Sequence, residues 1–181
     1  MSSYAELHCL SNFTFLRGAS HPAELVHQAY ALGYRALALT DECSISGVVR
    51  AHVAARELGL QFIIGSEFTL NNGDKFVLLV TNKNGYRQLT RLITLARRRT
   101  PKGEYHLTVD DLRAKSLSDC LSLVVCDPSP TPIERKHAKF QAISDHAKRL
   151  KSLMPNRVWL TLEQPGYGTD ECHQKNPVSM R

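Results

Sequence analysis

The chain has 181 residues, 43% of them hydrophobic, and a formal net charge of +6. That length suits one domain, and that apolar fraction excludes a wholly disordered chain. No uninterrupted apolar run is long enough to span a bilayer, and the positive balance favours an anionic partner, with nucleic acid the obvious one.

Residues 4–10 alternate apolar and polar side chains and predict a strand. A helix is predicted within 18–34, with Ser20 as its cap, Pro22 in its first turn and Gly33 at its end. Leu25, Ala29 and Leu32 fall on one face of it. The run "RALALT" reads as a strand buried on both faces and ends at Asp41. "SGVVRAHVAARELG" predicts a second helix, with Val48, Ala51, Ala55 and Leu58 in phase and Gly59 as its stop. "LQFIIGSEF" is the third strand, so the order is β-α-β-α-β, the pattern of a parallel sheet with right-handed crossovers. Asn72-Gly73 then predicts a hairpin.

"NGYRQLTRLITLARRR" predicts a third helix with Tyr86, Leu89, Leu92, Ile93 and Ala96 inward. Thr108 and Asp111 stand at capping-box spacing, with Asp in place of the usual Glu or Gln. "CLSLVVC" is an apolar strand, and "DPSPTP" is a proline-rich loop. Residues 132–153 predict a long polar helix with Phe140, Ile143, Ala147 and Leu150 as its stripe, and "RVWLTLE" is the last strand. The tail has no periodicity and is expected to be disordered.

Five cysteines without a CxxC pair or an export signal are expected to be reduced thiols in the cytoplasm. No GxSxG elbow, Walker loop or GxGxxG is present. Three polar residues do end predicted strands: His8, Asp41 and Glu67. In a parallel α/β barrel such strand ends share one rim. Imidazole with carboxylates suits zinc, manganese or iron, which would activate water against a phosphoryl centre. Asp41 and Glu67 also serve as caps of the next helix or turn and His8 as a hydrogen-bonded strand end, and spacing alone favours that reading. His52, His137, His146 and His173 form no ligand pair. Arg87, Arg91, Arg97, Arg98, Arg99 and Lys102 form either a phosphate-contacting patch or a solvated helix face. The absence of interleaved aromatics favours the solvated face.

"ELHCLSNFTFLRGASHPAELV", "ALALTDECSISGVVRAH" and "GLQFIIGSEF" resemble the N-terminal PHP (polymerase and histidinol phosphatase) domain of bacterial C-family DNA polymerases. Within that group they are similar to the error-prone branch. "NGYRQLTRLITLARRRTPKGEY" and "MPNRVWLTLE" continue the resemblance, which runs from about Tyr4 to about Glu171. It implies a distorted seven-stranded α/β barrel with a multi-metal rim. Metal-binding members open with His-x-His, where this chain has His8-Cys9-Leu10. Their second motif carries Asp-His, here Asp41-Glu42, and a later histidine falls at Lys75. The resemblance therefore implies that His8, Asp41 and Glu67 are remnants of a lost metal site.

The expectation is an α/β fold of the PHP-type (β/α)7 barrel, incomplete at the C-terminus. Residues 1–171 would be a partial PHP domain and 172–181 an unstructured tail of separate origin. The parent would be an error-prone DNA polymerase acting in repair and in replication past lesions. Its magnesium-dependent active site would lie outside this chain, which would be structural and need no cofactor or small-molecule ligand. The expected partners are DNA and the rest of the polymerase, with no membrane. The alternative is a stand-alone PHP phosphoesterase using zinc or manganese at His8, Asp41 and Glu67. A third reading is a DNA- or clamp-associated fragment using Arg97, Arg98 and Arg99. An incomplete barrel would leave sheet edges unpaired and favour aggregation.

Overall fold

The structure, a computed structural model, describes residues 4–114, 116–126 and 133–162. The loop predicted over 127–132 and the tail beyond 162 lie outside the described residues. The first half is β1 (Ala5–Cys9), α1 (Pro22–Ala31), β2 (Ala36–Leu39), α2 (Val48–Leu58) and β3 (Gln61–Thr69). It continues with β4 (Lys75–Val80), α3 (Lys83–Arg97), α4 (Val109–Ala114), β5 (Cys120–Cys126), α5 (Ile133–Leu153) and β6 (Val158–Leu162).

The six strands form one curled sheet in sequence order. β1, β2 and β3 pair in parallel, as the β-α-β-α-β order predicts. β3 and β4 are an antiparallel hairpin closed at Thr69 and Lys75, and Gly73 supplies the left-handed turn position at φ 87°. β5 runs antiparallel to β4, and β6 joins it in parallel after α5. Among the described residues β1 and β6 are the two edges.

Strand periodicity divides the core. Leu37 and Leu39 of β2 face α1 and α2, where they meet Val26, Ala29, Ala51 and Ala55. Phe76 and Leu78 of β4 face Leu89, Leu92 and Ala96 of α3 and Leu150 of α5. The alternate residues Ala38, Val77, Leu79, Leu123 and Val125 line the opposite face. Burying both faces explains why these strands read as continuous apolar runs.

Several local expectations change. The cap of α1 is His21, whose backbone N–H donates to Glu24 at 2.8 Å, and not Ser20. Its inward face is Pro22, Val26 and Ala29, while Leu32 lies past the last turn and is exposed. On α3, Tyr86 is exposed and Gly85 takes the buried position. A Cβ at Gly85 would stand 2.1 Å from the Asp119 carbonyl oxygen, so the helix packs on the β5 approach only through a glycine. The Thr108/Asp111 capping box forms as predicted: Thr108 N–H donates to Asp111 at 3.0 Å, and Asp111 N–H to Thr108 Oγ1 at 3.3 Å.

His146 is one buried polar residue that helical spacing does not reveal. Its Nε2 donates to the Lys75 carbonyl at 3.2 Å, and its Nδ1 lies 3.0 Å from Asp74, which also pairs with Arg149. Burial lowers its pKa, against the pull of Asp74 and the Lys75 carbonyl. The folded chain thus binds this proton less readily than the unfolded chain.

Two outcomes are expected. Gly85→Ala should cost about 1–3 kcal/mol in urea denaturation through overpacking, whereas Asn84→Ala on the exposed side should cost little. Stability should fall as pH drops below the ordinary histidine range, and His146→Gln should flatten that slope in pH-dependent melting curves. An unchanged slope would remove His146 from the account.

Candidate functional site

The ends of β1, β2 and β3 and the loops that follow them form one rim. The strand register sets it, because residues that end adjacent parallel strands must lie side by side. Glu67 is fully buried at the point where β3 continues past the end of β2. Its N–H donates to the Thr40 carbonyl at 3.1 Å, and its carbonyl accepts from Cys43 N–H at 2.8 Å. The Glu42–Glu67 bridge extends this pairing into the loop.

A carboxylate buried so completely needs compensation. His8 Nε2 donates to Glu67 Oε2 at 2.8 Å. Arg17 clamps the same carboxylate with Nη1 on Oε1 at 2.5 Å and Nη2 on Oε2 at 3.0 Å. Lys75 Nζ stands 3.9 Å from Oε1. Burial alone would raise the Glu67 pKa, but His8, Arg17 and Lys75 together outweigh it and hold the group down at about 2. Its hydrogen bonds to Glu67 and Glu42 hold the Arg17 guanidinium protonated against its own partial burial.

Arg17 Nη1 also donates to Glu42 Oε2 at 2.9 Å, and Tyr105 Oη donates to Glu42 Oε1 at 2.8 Å. Burial raises the Tyr105 pKa, so its hydroxyl stays a donor. Asp41 is treated differently. Its carboxylate accepts from Ser11 N–H at 2.8 Å, Ser11 Oγ at 2.7 Å and Thr14 Oγ1 at 2.7 Å. Its carboxylate therefore organises the loop after β1, while its backbone carbonyl accepts from Glu67 N–H at 3.3 Å. Burial pushes the neighbouring Cys9 thiol up to about 12, which keeps it protonated and inert.

Of the three sequence candidates, the structure brings His8 and Glu67 into direct contact and turns Asp41 into the adjoining loop. Leu10 offers no donor. Among the described residues no three His, Cys, Asp or Glu side chains form a metal-binding group. A divalent ion does not fit the set, since both Glu67 oxygens are held by cationic or N–H donors and Lys75 adds a further positive charge. Sequence reading missed Arg17, which sits in the loop after β1, 50 residues before its partner.

The arginine run divides. Arg97 stacks over Tyr105 at 5.3 Å and donates to the carbonyls of Cys43 at 3.2 Å and Glu42 at 3.1 Å. Arg99 pairs with Asp111 at 2.7 Å. Arg98 is exposed, as are Arg87 and Arg91.

The family model for the PHP domain matches residues 6–164. A protein of Dechloromonas aromatica named error-prone DNA polymerase is 51% identical over 167 residues, which cover 90% of this chain and 15% of that one. A like-named protein of Ralstonia nicotianae is 44% identical, covering 96% and 17%. Another, of Pseudomonas paraeruginosa, is 48% identical, covering 99% and 16%. The chain thus spans between 15% and 17% of the length of these relatives. Among solved structures, one from Bifidobacterium adolescentis named for metal-dependent phosphoesterase activity aligns with a TM-score of 0.54 at 14% identity, over 88% of this chain and 77% of that one. An amidohydrolase of Chromobacterium violaceum aligns at 0.50 with 18% identity, over 77% and 74%. At those identities the likeness is one of fold.

Two outcomes follow from the rim. The Glu67 carboxylate has a depressed pKa, so its stabilisation is complete above the ordinary glutamate range near 4.5 and is lost as pH falls toward about 2. Glu67→Gln should remove that segment of the acid-denaturation curve. Arg17→Met should destabilise at pH 7 by about 2 kcal/mol, less than a wholly buried pair because Arg17 is partly exposed. Urea titrations of both variants check this, and a neutral Arg17→Met would contradict it.

Proposed function

The chain belongs to the PHP domain family, and from that premise we propose that it is the PHP portion of an error-prone DNA polymerase, holding structure rather than hydrolysing phosphoesters. One observation carries the second part: the Arg17 guanidinium sits bidentate on Glu67, between the ends of β1 and β3. A guanidinium supplies positive charge but no open coordination position. It therefore stabilises the carboxylate and activates no water. His8, Asp41 and Glu67 are remnants, and their present work is cohesion of the rim.

Nucleotidyl transfer, with the magnesium that positions a triphosphate, belongs in this reading to the remainder of the longer protein. Repair, synthesis past lesions and a cytoplasmic location are properties of that parent. In the chain itself, no helix of the described residues is long and apolar enough to cross a membrane. The identity to polymerases along nearly the whole chain supports the reading.

DNA contact by this segment goes to one face of α3. Arg87, Arg91 and Arg98 are exposed at helical spacing, while Arg97 and Arg99 are held by internal partners. Of the predicted trio, Arg98 and Arg99 are exposed, and Arg99 is already paired with Asp111.

The purified chain should carry far less than one equivalent of zinc or manganese by elemental analysis, and should neither extend a primer nor cleave a phosphomonoester. Stoichiometric metal together with phosphatase activity would falsify the structural reading. For DNA, changing Arg87, Arg91 and Arg98 to Ala should reduce the slope of log affinity against log salt by about 2–3, near one unit per lost phosphate contact. A slope that stays put removes the α3 face.

A further inference from the structure

The loop between β1 and α1 is held at both ends. Ser11 and Thr14 donate to buried Asp41, and Arg17 is clamped to Glu67 and Glu42. Inside it, Thr14 N–H donates to the Ser11 carbonyl at 2.9 Å, and the N–H groups of Arg17 and Gly18 donate to the Thr14 carbonyl at 3.1 and 3.0 Å. The turn is so tight that a Cβ on Gly18 would stand 2.0 Å from the Ser11 carbonyl oxygen.

This firmly built loop presents apolar side chains to water. Phe15 is 84% exposed, Leu16 90% and Phe13 39%. Leu16 also holds a left-handed backbone at φ 64°, unfavourable for a branched side chain. Beside it, Arg50 of α2 lies 6.0 Å from the centre of the Phe13 ring, and Val49 and Val53 are exposed one helical turn apart. Strain and apolar exposure together, in a segment with many internal hydrogen bonds, mark a docking surface rather than a slack loop.

We propose that Phe13, Phe15 and Leu16, with Val49 and Val53 of α2, dock an apolar face of the polymerase polypeptide outside the PHP segment. The inference rests on the reading of the chain as the PHP portion of a polymerase. The relatives carry most of their length outside the matched segment, so a module of this kind has a large neighbour tethered to it. Tethering gives a high effective concentration, which lets a small knob suffice. Nucleic acid fits less well. Arg50 is already over Phe13 and Arg17 is turned to Glu67, so among the described residues no line of cations accompanies the aromatics to track a phosphate backbone. A second copy would have to meet one protruding surface with the same protruding surface.

The test uses a full-length chimera in which this chain replaces the matched segment of the Dechloromonas aromatica polymerase. A photoreactive Phe15→benzoylphenylalanine substitution should crosslink within the same polypeptide, beyond the 181 residues, as mapped by mass spectrometry. In the same chimera, Phe15→Ser with Leu16→Ser should speed proteolytic release of the segment by about tenfold. The same double substitution in the isolated chain should leave the melting temperature nearly unchanged, which separates lost docking from lost folding. Crosslinks confined to a second copy or to primer-template DNA overturn the proposal. An active chimera with no crosslink and unchanged release overturns this surface and leaves the polymerase reading standing. A chimera without polymerase activity defeats that reading and this inference with it.

Discussion

Glu67 cannot be left alone. It lies between Ser66 and Phe68 in a stretch of β3 with no solvent contact, and an ion in that position is tolerable only with opposite charge beside it. Arg17 supplies that charge from the loop after β1, His8 adds a hydrogen bond from β1 itself, and Lys75 reinforces it from β4. One carboxylate thereby joins three strands and a loop. Glu42 shares Arg17 and brings in Tyr105, which in turn carries Arg97 on its ring. Asp41 completes the arrangement with neutral donors, fixing the loop that delivers Arg17.

The fold positions these groups by strand pairing and by hydrogen bonds between protein side chains. Parallel pairing of β1, β2 and β3 aligns the strand ends, and the helices pack on one face only. A planar guanidinium then matches the carboxylate with two parallel hydrogen bonds. Such a pair is rigid and closed. It offers cohesion and no site for a metal-bound water, which suits the structural role proposed for the chain.

Much of this was legible in the sequence because it is local or periodic. The β-α-β-α-β order, the Asn72-Gly73 hairpin and the Thr108/Asp111 cap each depend on residues a few positions apart. Leu10, Glu42 and Lys75 could be read as departures from a ligand pattern once the resemblance was in view. Arg17 could not, because its meaning lies in a partner 50 residues away and nothing in its neighbourhood distinguishes it from a solvated arginine. His146 was hidden in the same way: it looks like one more polar residue on α5, yet the β3–β4 turn covers it. Gly85 escaped because close backbone approach leaves no periodic trace, and the larger Tyr86 beside it drew the inward assignment. In the arginine run, composition shows the charge, but only the folded chain shows that Arg97 stacks on Tyr105 and that Arg99, though exposed like Arg98, pairs with Asp111.

The central claim is that protein cations occupy the electrostatic role of a metal at Glu67. Carbon-13 NMR of the side-chain carboxylates, followed against pH with and without added zinc, addresses it most directly. The account predicts that Glu67 titrates at about 2 and that zinc leaves its resonance in place. A Glu67 titration near the ordinary glutamate value, or a saturable zinc-dependent shift of Glu67 together with His8, would contradict it.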